Sequence, residues 1–463
     1  MKIQNIVIAG LAALVLSSCK SLYGRYERPD VHAEGLVRDA HSDTDTLALT
    51  DTMSFGNMPW RSVFTDVQLQ RHIEQALDHN VDLLNAALNV RMAEAQLKAA
   101  KLAFLPSFTF APQGTIASWD GTKTVSTYQL PIAASWNVDL FGNLLSQKRA
   151  SQVALLATKD YQTVVKTNII SGVANMYYTL LMLDRQLEIV NDMQVLTKDT
   201  WDKMQALKDL SRGVRSVAVQ TAEANYYAVQ TRKADLLRQV RETENALSLL
   251  MGQSAQAIAR GKLEQQSLPD RLATGIAISM LNNRADVHAA EMKLAQCFYG
   301  IETARSRFYP NLTISANGSF TNNSGMGVVN PGKWLLSAVG SMVQPIFQRG
   351  QLIAGLKVAQ AQYRQAYNTW QNTILKAGNE VSNALVLYNS SAEKSRIEQK
   401  QIDVLKRNVE DTKALMLLSN ATYLEVITAQ QSLLNVQLSK IADDFYKMQA
   451  VVNLYQALGG GVK

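Results

Sequence analysis

NLLSQKRASQVALLATKDYQTVVKTNIISGVANMYYTLLMLDRQLEIVNDMQVLTKDTWDKMQALKDL, Asn143 to Leu210, decides how this chain is read. From Asn143 to Leu268 there is no proline, and the only glycines are Gly172, Gly213, Gly252 and Gly261. The stretch is dense in Ala, Leu, Gln, Lys, Glu and Val. Proline inside a helix removes a hydrogen bond and clashes with the preceding turn, so its absence points to helix. The run breaks where Gly213 sits in Leu210-Ser211-Arg212-Gly213-Val214-Arg215-Ser216. At about 1.5 Å per residue, Asn143–Leu210 reaches roughly 100 Å. No single globular core needs helices of that length. Ile346 to Lys463 also lacks proline, so the C-terminal third behaves the same way.

Just upstream the apolar period changes from 3.6 to 2. Tyr128, Leu130, Ile132, Ala134, Trp136, Val138 and Leu140 alternate with Gln129, Ala133, Ser135, Asn137 and Asp139. A tilted strand of about 9–11 residues fits the hydrocarbon width of a bilayer. Pro106–Ser118, with Phe108 and Phe110, is its weaker partner, and Asp120-Gly121 lies in the turn between them.

The pattern then occurs a second time. The first repeat, 61–268, is read as helix 66–104, strands 106–118 and 127–140, and long helices 143–210 and 214–251. The second, 269–463, is read as helix 278–308, strands 311–321 and 333–347, and long helices 350–418 and 422–458. Asp82 precedes Pro106 by 24 residues, as Asp286 precedes Pro310. Gly213 precedes Gly252 by 39, as Asn420 precedes Gly459. Asn is the residue that best replaces Gly in a left-handed turn. Leu424, Ile427, Leu434, Leu438, Ile441, Phe445, Met448, Val452 and Tyr455 follow 3-4 spacing, with Gln431 as the break. Val219, Ala222, Tyr226, Val229, Leu236, Val240, Leu247 and Leu250 do the same, with Lys233 and Thr243 as exceptions. These stripes are read as helix packing, not as a cofactor box.

The expected fold is therefore mainly α with a membrane β part, built from two helix-strand-strand-helix-helix repeats. Four membrane strands cannot stand alone, because an edge strand in lipid leaves backbone groups unpaired. Three copies give a twelve-stranded barrel, and two would give eight with a lumen already filled. The long antiparallel helix pairs would continue the barrel as a hollow tube.

The first 19 residues set the address. Lys2 supplies a positive start and Ile6–Leu16 an apolar segment too short to span a membrane. Residues 1–18 are read as a signal peptide. Leu16-Ser17-Ser18-Cys19 resembles a bacterial lipobox, which implies lipidation of Cys19. Lys20, in place of the Asp linked to inner-membrane retention, points to the outer membrane of a Gram-negative cell. Residues 19–60 read as an extended tether. Only Cys297 remains, so no internal disulfide holds the fold, and this cysteine is read as a small packed residue.

The chain carries 46 basic and 39 acidic residues, a formal charge of +7, without an aromatic-basic cluster. No nucleic-acid partner is expected. The histidines, His32, His41, His72, His79 and His288, show no metal-ligand spacing. There is no phosphate loop and no nucleophile elbow. No catalytic residue, metal or cofactor is expected beyond the lipid on Cys19.

Several segments together resemble the TolC-like outer-membrane efflux proteins, in the lipoprotein branch serving RND-type pumps. They are Tyr26-Glu27-Arg28-Pro29, then Trp60, Phe64, Asp66, Leu69, Ala76-Leu77 and Asn80, then Arg284-Ala285-Asp286-Val287. Phe308-Tyr309-Pro310-Asn311-Leu312 and Pro345-Ile346-Phe347-Gln348-Arg349-Gly350 follow, with Ala359-Gln360-Ala361, Tyr367 and Glu380-Val381. Ala285 departs from the proline usual in that motif. The resemblance implies a homotrimer acting as the passive exit duct of a tripartite system. A periplasmic adaptor and an inner-membrane RND pump would deliver drugs or other small solutes to it. It further implies adaptor docking at the helix tips, here Arg212, Gly213, Val214, Arg215 and Ser216, and Ser419, Asn420, Ala421 and Thr422. Asn420 replaces the usual Gly of the second tip. Glu425 matches a position that carries an acidic constriction ring in some members, with Thr428 at a second such position. Glu425 reads equally as a solvated helix charge. A duct for type I protein secretion and a non-conducting coiled-coil lipoprotein are the alternatives.

Overall fold

The computed structural model describes residues 24–30, 55–118, 120–121, 124–210, 215–266, 284–324, 328–417 and 423–461. These fall into two compact units, one taking 24–30, 88–160 and 288–372, the other 55–87, 161–287 and 373–461. The signal peptide and Cys19 lie outside the described residues, as does the expected helix start at Ile278.

The first unit is built on one antiparallel sheet. Its strands are β1 (Ser107–Phe110), β2 (Gln113–Ala117), β3 (Val125–Val138), β4 (Asn311–Asn323) and β5 (Val328–Val343). The order is β1-β3-β4-β5, with β2 also pairing β3. The expected strand 106–118 is two pieces, because Pro112 has no N–H to give the ladder and interrupts it. The expected strand 127–140 shifts to 125–138. Asp139 is taken out of the ladder by the following helix, its Oδ2 accepting the N–H of Leu145 at 2.7 Å. The strand expected at 333–347 begins earlier, at Val328, and stops at Val343. Pro331 lies inside it, which an edge strand tolerates. The strand expected at 311–321 runs on to Asn323, past an irregularity between Thr321 and Asn323.

The two repeats meet in the middle of this sheet. Strand β3 of the first pairs with β4 of the second, from Gln129↔Thr321 to Val138↔Leu312. Directly opposed residues share a face. One face therefore carries Phe110, Ile132, Gly318 and Leu336 in one row, and Leu130, Phe320 and Trp334 in another. The other face carries Thr109, Ala133, Asn317 and Ser337 in one row, and Ser107, Ser135, Ser315 and Val339 in the next. Thr313 Oγ1 donates to Asn137 Oδ1 on that polar face at 2.9 Å.

The helices are α1 (Val67–His79), α2 (Val81–Leu102), α3 (Asn143–Asp209), α4 (Ser216–Leu250), α5 (Ala285–Ser306), α6 (Gln351–Leu417) and α7 (Tyr423–Ala457). Helices α2 and α5 have 22 residues each, α3 and α6 have 67 each, and α4 and α7 have 35 each. The internal repeat is thus kept in helix length. The helix expected at 66–104 is two helices, split at Asn80. Asn80 Oδ1 accepts the N–H of Leu83 at 3.1 Å, while its Nδ2 donates to Leu250 O at 2.9 Å. A short amide side chain competes with the backbone for its hydrogen bonds, so one residue closes α1 and opens α2. The expected helix 278–308 ends at Ser306.

The second unit is held by a core that includes Phe64, Leu69, Ile73, Ile170, Tyr177 and Tyr455. Phe55 and Trp60 are buried in it, so the tether read over 19–60 gives way to packed structure by Phe55. On α4, Lys233 and Thr243 hold their stripe positions half-buried, and Lys233 Nζ donates to Gln194 Oε1 at 3.2 Å. Ile427 to Tyr455 on α7 are buried as spaced, whereas Leu424 and Gln431 are exposed.

Asp66 anchors the start of this unit. It caps α1 by accepting the N–H groups of Gln68 and Leu69, and its Oδ2 accepts Tyr177 Oη and Gln266 Nε2, both at 2.7 Å. Burial alone would push this carboxyl up, but the hydrogen bonds from Gln266, Tyr177, Gln68 and Leu69 hold it below the usual range. Its contribution is therefore present above the ordinary Asp value and is lost as pH falls through the lower folded value. Asp66→Ala is expected to cost about 2–3 kcal/mol, from a lost cap and lost charge-assisted bonds. Asp66→Asn should keep the cap and flatten the acid limb of the unfolding profile below about pH 4. Unfolding of the full chain in detergent, followed against pH, checks both.

Candidate functional site

Three features of the described residues stand out: the two faces of the sheet, its edges, and the long helix pairs where they approach 210 and 417. Leu130, Ile132, Ile314, Trp334, Leu336 and Met342 are large, apolar and exposed on one face. Trp334 is 69% exposed and Leu336 78%. In water such a surface would be costly, and in lipid it is at rest. The sheet ends in β5 on one side and in β1 and β2 on the other. Strand β5 covers 16 residues, so its outer edge offers a long row of backbone donors and acceptors. Among the described residues, no helix is long and apolar enough to cross a membrane.

The helix pairs α3–α4 and α6–α7 end close to where the glycine and asparagine breaks were read. Arg212, Gly213, Val214, Ser419, Asn420, Ala421 and Thr422 lie outside the described residues. Arg215 caps α4 in an extended conformation with its side chain exposed, and Ala218 N donates to Arg215 O at 3.0 Å. Ser216 is the first residue of α4. The structure brings the two ends together through a small core: Met204, Ala218, Val219, Ala222, Met416, Val426 and Ile427. Trp201 packs beside it, its ring 5.6 Å from Tyr226 and 6.0 Å from Tyr227. Lys198 sits 4.3 Å over the Trp201 ring. Lys203 and Lys413 hold Asp199 from α3 and α6, at 2.8 and 3.4 Å. Hydrogen bonding from Lys203, against slight burial, keeps the Asp199 carboxyl below its ordinary range.

Glu425 is in the first turn of α7, where a negative charge complements the helix dipole. Glu425 and Thr428 are exposed on one face with Leu424, while Val426 and Ile427 are buried on the other. Both candidate gate residues therefore point away from the packed core.

Of the residues that tie these ends together internally, the sequence singled out only Gln431, and that as a break in its stripe. Gln430, fully buried, donates to Thr200 Oγ1 at 2.8 Å, joining α7 to α3. Gln431 donates to Asn225 Oδ1 at 2.9 Å, joining α7 to α4. Helix α7 packs on two faces, and Val426, Gln430 and Leu433 form the second. That stripe also has 3-4 spacing, so it was available to a search for two seams.

A model of the outer membrane efflux protein family matches residues 72–253 and 278–460. The two blocks correspond to the two repeats. The chain is 26% identical over 462 residues to the cation efflux system protein CusC of Escherichia coli strain K12, covering 97% of this chain and 98% of that one. It is 26% identical over 458 residues to SilC of Salmonella typhimurium, a probable outer membrane lipoprotein, covering 96% of each. The open-state MtrE outer membrane channel of Neisseria gonorrhoeae superposes with a TM-score of 0.83 at 22% identity, covering 95% of this chain and 98% of that one.

Proposed function

Since the chain belongs to the outer membrane efflux protein family, and so is an outer-membrane protein, we propose that it is the exit duct of a tripartite efflux system. The observation that carries this reading is the sheet. It has an apolar face, a polar face and two unpaired edges, and in lipid such a sheet must close. It is four strands wide, because β1 and β2 occupy one position beside β3. Three copies close a twelve-stranded barrel with its apolar face to lipid and its polar face to a wet passage. The long helix pairs carry that passage through the periplasm.

In this reading the chain performs no chemistry. Solutes move passively, and the driving energy comes from an inner-membrane RND-type pump through a periplasmic adaptor. The adaptor meets the ends at 210–216 and 418–423. A lipid on Cys19 adds a second membrane attachment. Three copies of Glu425 around one axis would repel one another and attract cations.

Single-channel conductance in a planar bilayer, beside native mass spectrometry, tests the proposal. A trimer with a small, cation-preferring conductance is expected. Glu425→Ala should raise the conductance and weaken the cation preference without changing the oligomer. A non-conducting monomer would sink the duct reading. An unchanged selectivity in Glu425→Ala would leave the duct standing and remove Glu425 from its gate.

A further inference from the structure

Helices α6 and α7 set a buried acid beside a half-buried one, about five turns from the helix ends at Leu417 and Tyr423. Asp443 is 1% exposed. Its Oδ1 accepts from Lys394 Nζ at 2.7 Å, and its Oδ2 is buried with no other hydrogen-bond partner. Glu398 Oε1 accepts from Ser439 Oγ at 2.6 Å, and its Oε2 is likewise buried without another partner. Lys394 and Glu398 are one turn apart on α6, as Ser439 and Asp443 are on α7, so these two cross-seam bonds set the carboxyls side by side. Two carboxylates cannot both be ionised at that separation without strong repulsion. A single proton between them satisfies both orphaned oxygens at once.

We propose that Glu398 and Asp443 share one proton across the α6–α7 seam, and that losing it loosens this helix pair, so that the seam is a pH-sensitive joint above the tip. Lys394 already donates to Asp443 Oδ1, which leaves Glu398 as the proton carrier. Burial raises the Glu398 carboxyl, the Asp443 charge raises it further, and the Ser439 bond and Lys394 oppose them. The folded value is therefore above the ordinary Glu value. The sign follows: the bond contributes fully below that ordinary value, and its contribution is lost as pH rises through the folded value.

The surrounding charges are accounted for. On α7, Asp444 is held by Ser395, Lys440 and Lys447 at 2.7, 2.7 and 2.9 Å, and so stays below its usual range although burial opposes this. Tyr446 faces Lys394. Farther out, a groove beside Asp444 brings in Lys406 of α6, with Arg185 of α3 and Glu264 of the connector paired to each other at 2.7 Å.

Hydrogen exchange of the full chain in detergent is the test, run between about pH 5 and pH 8 and corrected for intrinsic exchange. Wild type should lose protection in 394–402 and 439–447 as pH rises. Glu398→Gln and Asp443→Asn should show flat profiles. The duct reading is not involved, and conductance is not the readout. Infrared difference spectra of unmutated protein give a second measurement. They should show a buried carboxylic-acid carbonyl band that vanishes over the same range. Wild type and Glu398→Gln losing protection in parallel, the absence of that band at the acid end, or a profile reset by added divalent cations would each overturn the proposal.

Discussion

Arg260→Ala should destabilise the folded chain by about 3–5 kcal/mol, the range for removing one partner of a buried ion pair. Arg260 lies in the connector after α4. Its Nε and Nη2 meet both oxygens of Asp184 on α3, at 2.5 and 2.9 Å, and its Nη1 donates to Glu244 Oε1 on α4 at 2.7 Å. The same Nη1 donates to Ile258 O at 2.9 Å. The side chain of Glu244 is 8% exposed, that of Arg260 15% and that of Asp184 37%. Asp184 can return to water when the arginine goes, so it adds little. Glu244 cannot, and an uncompensated buried carboxylate dominates the loss.

The Asp184 bonds, then those of Glu244, raise the guanidinium further above its ordinary value in spite of burial, so it stays charged at every working pH. Arg260→Lys should fall between wild type and alanine, since it keeps the charge and loses the fork. Arg260→Met with Glu244→Leu should recover most of the loss, because the pair is then replaced by packing rather than broken. Thermal unfolding of the four proteins in one detergent separates these outcomes. Equal losses in the single and double variants would mean that packing around Ile258, not charge, is what Arg260 provides.

This cluster also marks the boundary of what could be read without coordinates. Long helices, strand character and the twofold repeat are local or periodic properties. The proline gaps, the change of period at Thr127 and the recurring 24- and 39-residue intervals expose them directly. The strand assignment slipped where the deciding partner was out of register with composition: Asp139 looks like the polar face of a strand until Leu145 claims it. Pairing between β3 and β4 was out of reach, because it joins residues almost two hundred positions apart. Asn80 was within reach, since an Asn followed by an acid in the next turn is a helix-start signal. Glu398, Asp443 and Gln430 were not, because each reads alone as an ordinary solvated helix residue. The candidate site divides the same way. Glu425 and Arg215 can be placed on exposed positions, whereas the closed ends themselves, 211–214 and 418–422, fall outside the described residues.

Gly252→Ala is expected to cost about 3–5 kcal/mol from three sources that add. The residue has φ +69°, in the left-handed region, which costs an L-residue about 1–2 kcal/mol. A Cβ there would come within 2.6 Å of His79 O and 3.1 Å of His79 C. These are backbone atoms and cannot swing aside. Moving His79 also moves Asn80, whose Nδ2 holds Leu250 O, so the joint between α1, α2 and the end of α4 loses its hydrogen bond. Gly121 separates the contributions, because it has φ +70° with nothing within 4 Å of the added carbon. Gly121→Ala should therefore show only the conformational cost, about 1–2 kcal/mol. The difference between the two variants in thermal unfolding measures the close approach of α4 to α1 together with the hydrogen bond it disturbs. If both lose the same amount, the left-handed turn alone requires glycine at 252, and the recurrence of glycine at the end of each long pair, Gly252 and Gly459, reflects chain reversal rather than packing. A larger loss at 252 makes it a packing constraint, which then binds the short helices to the long ones in the first repeat.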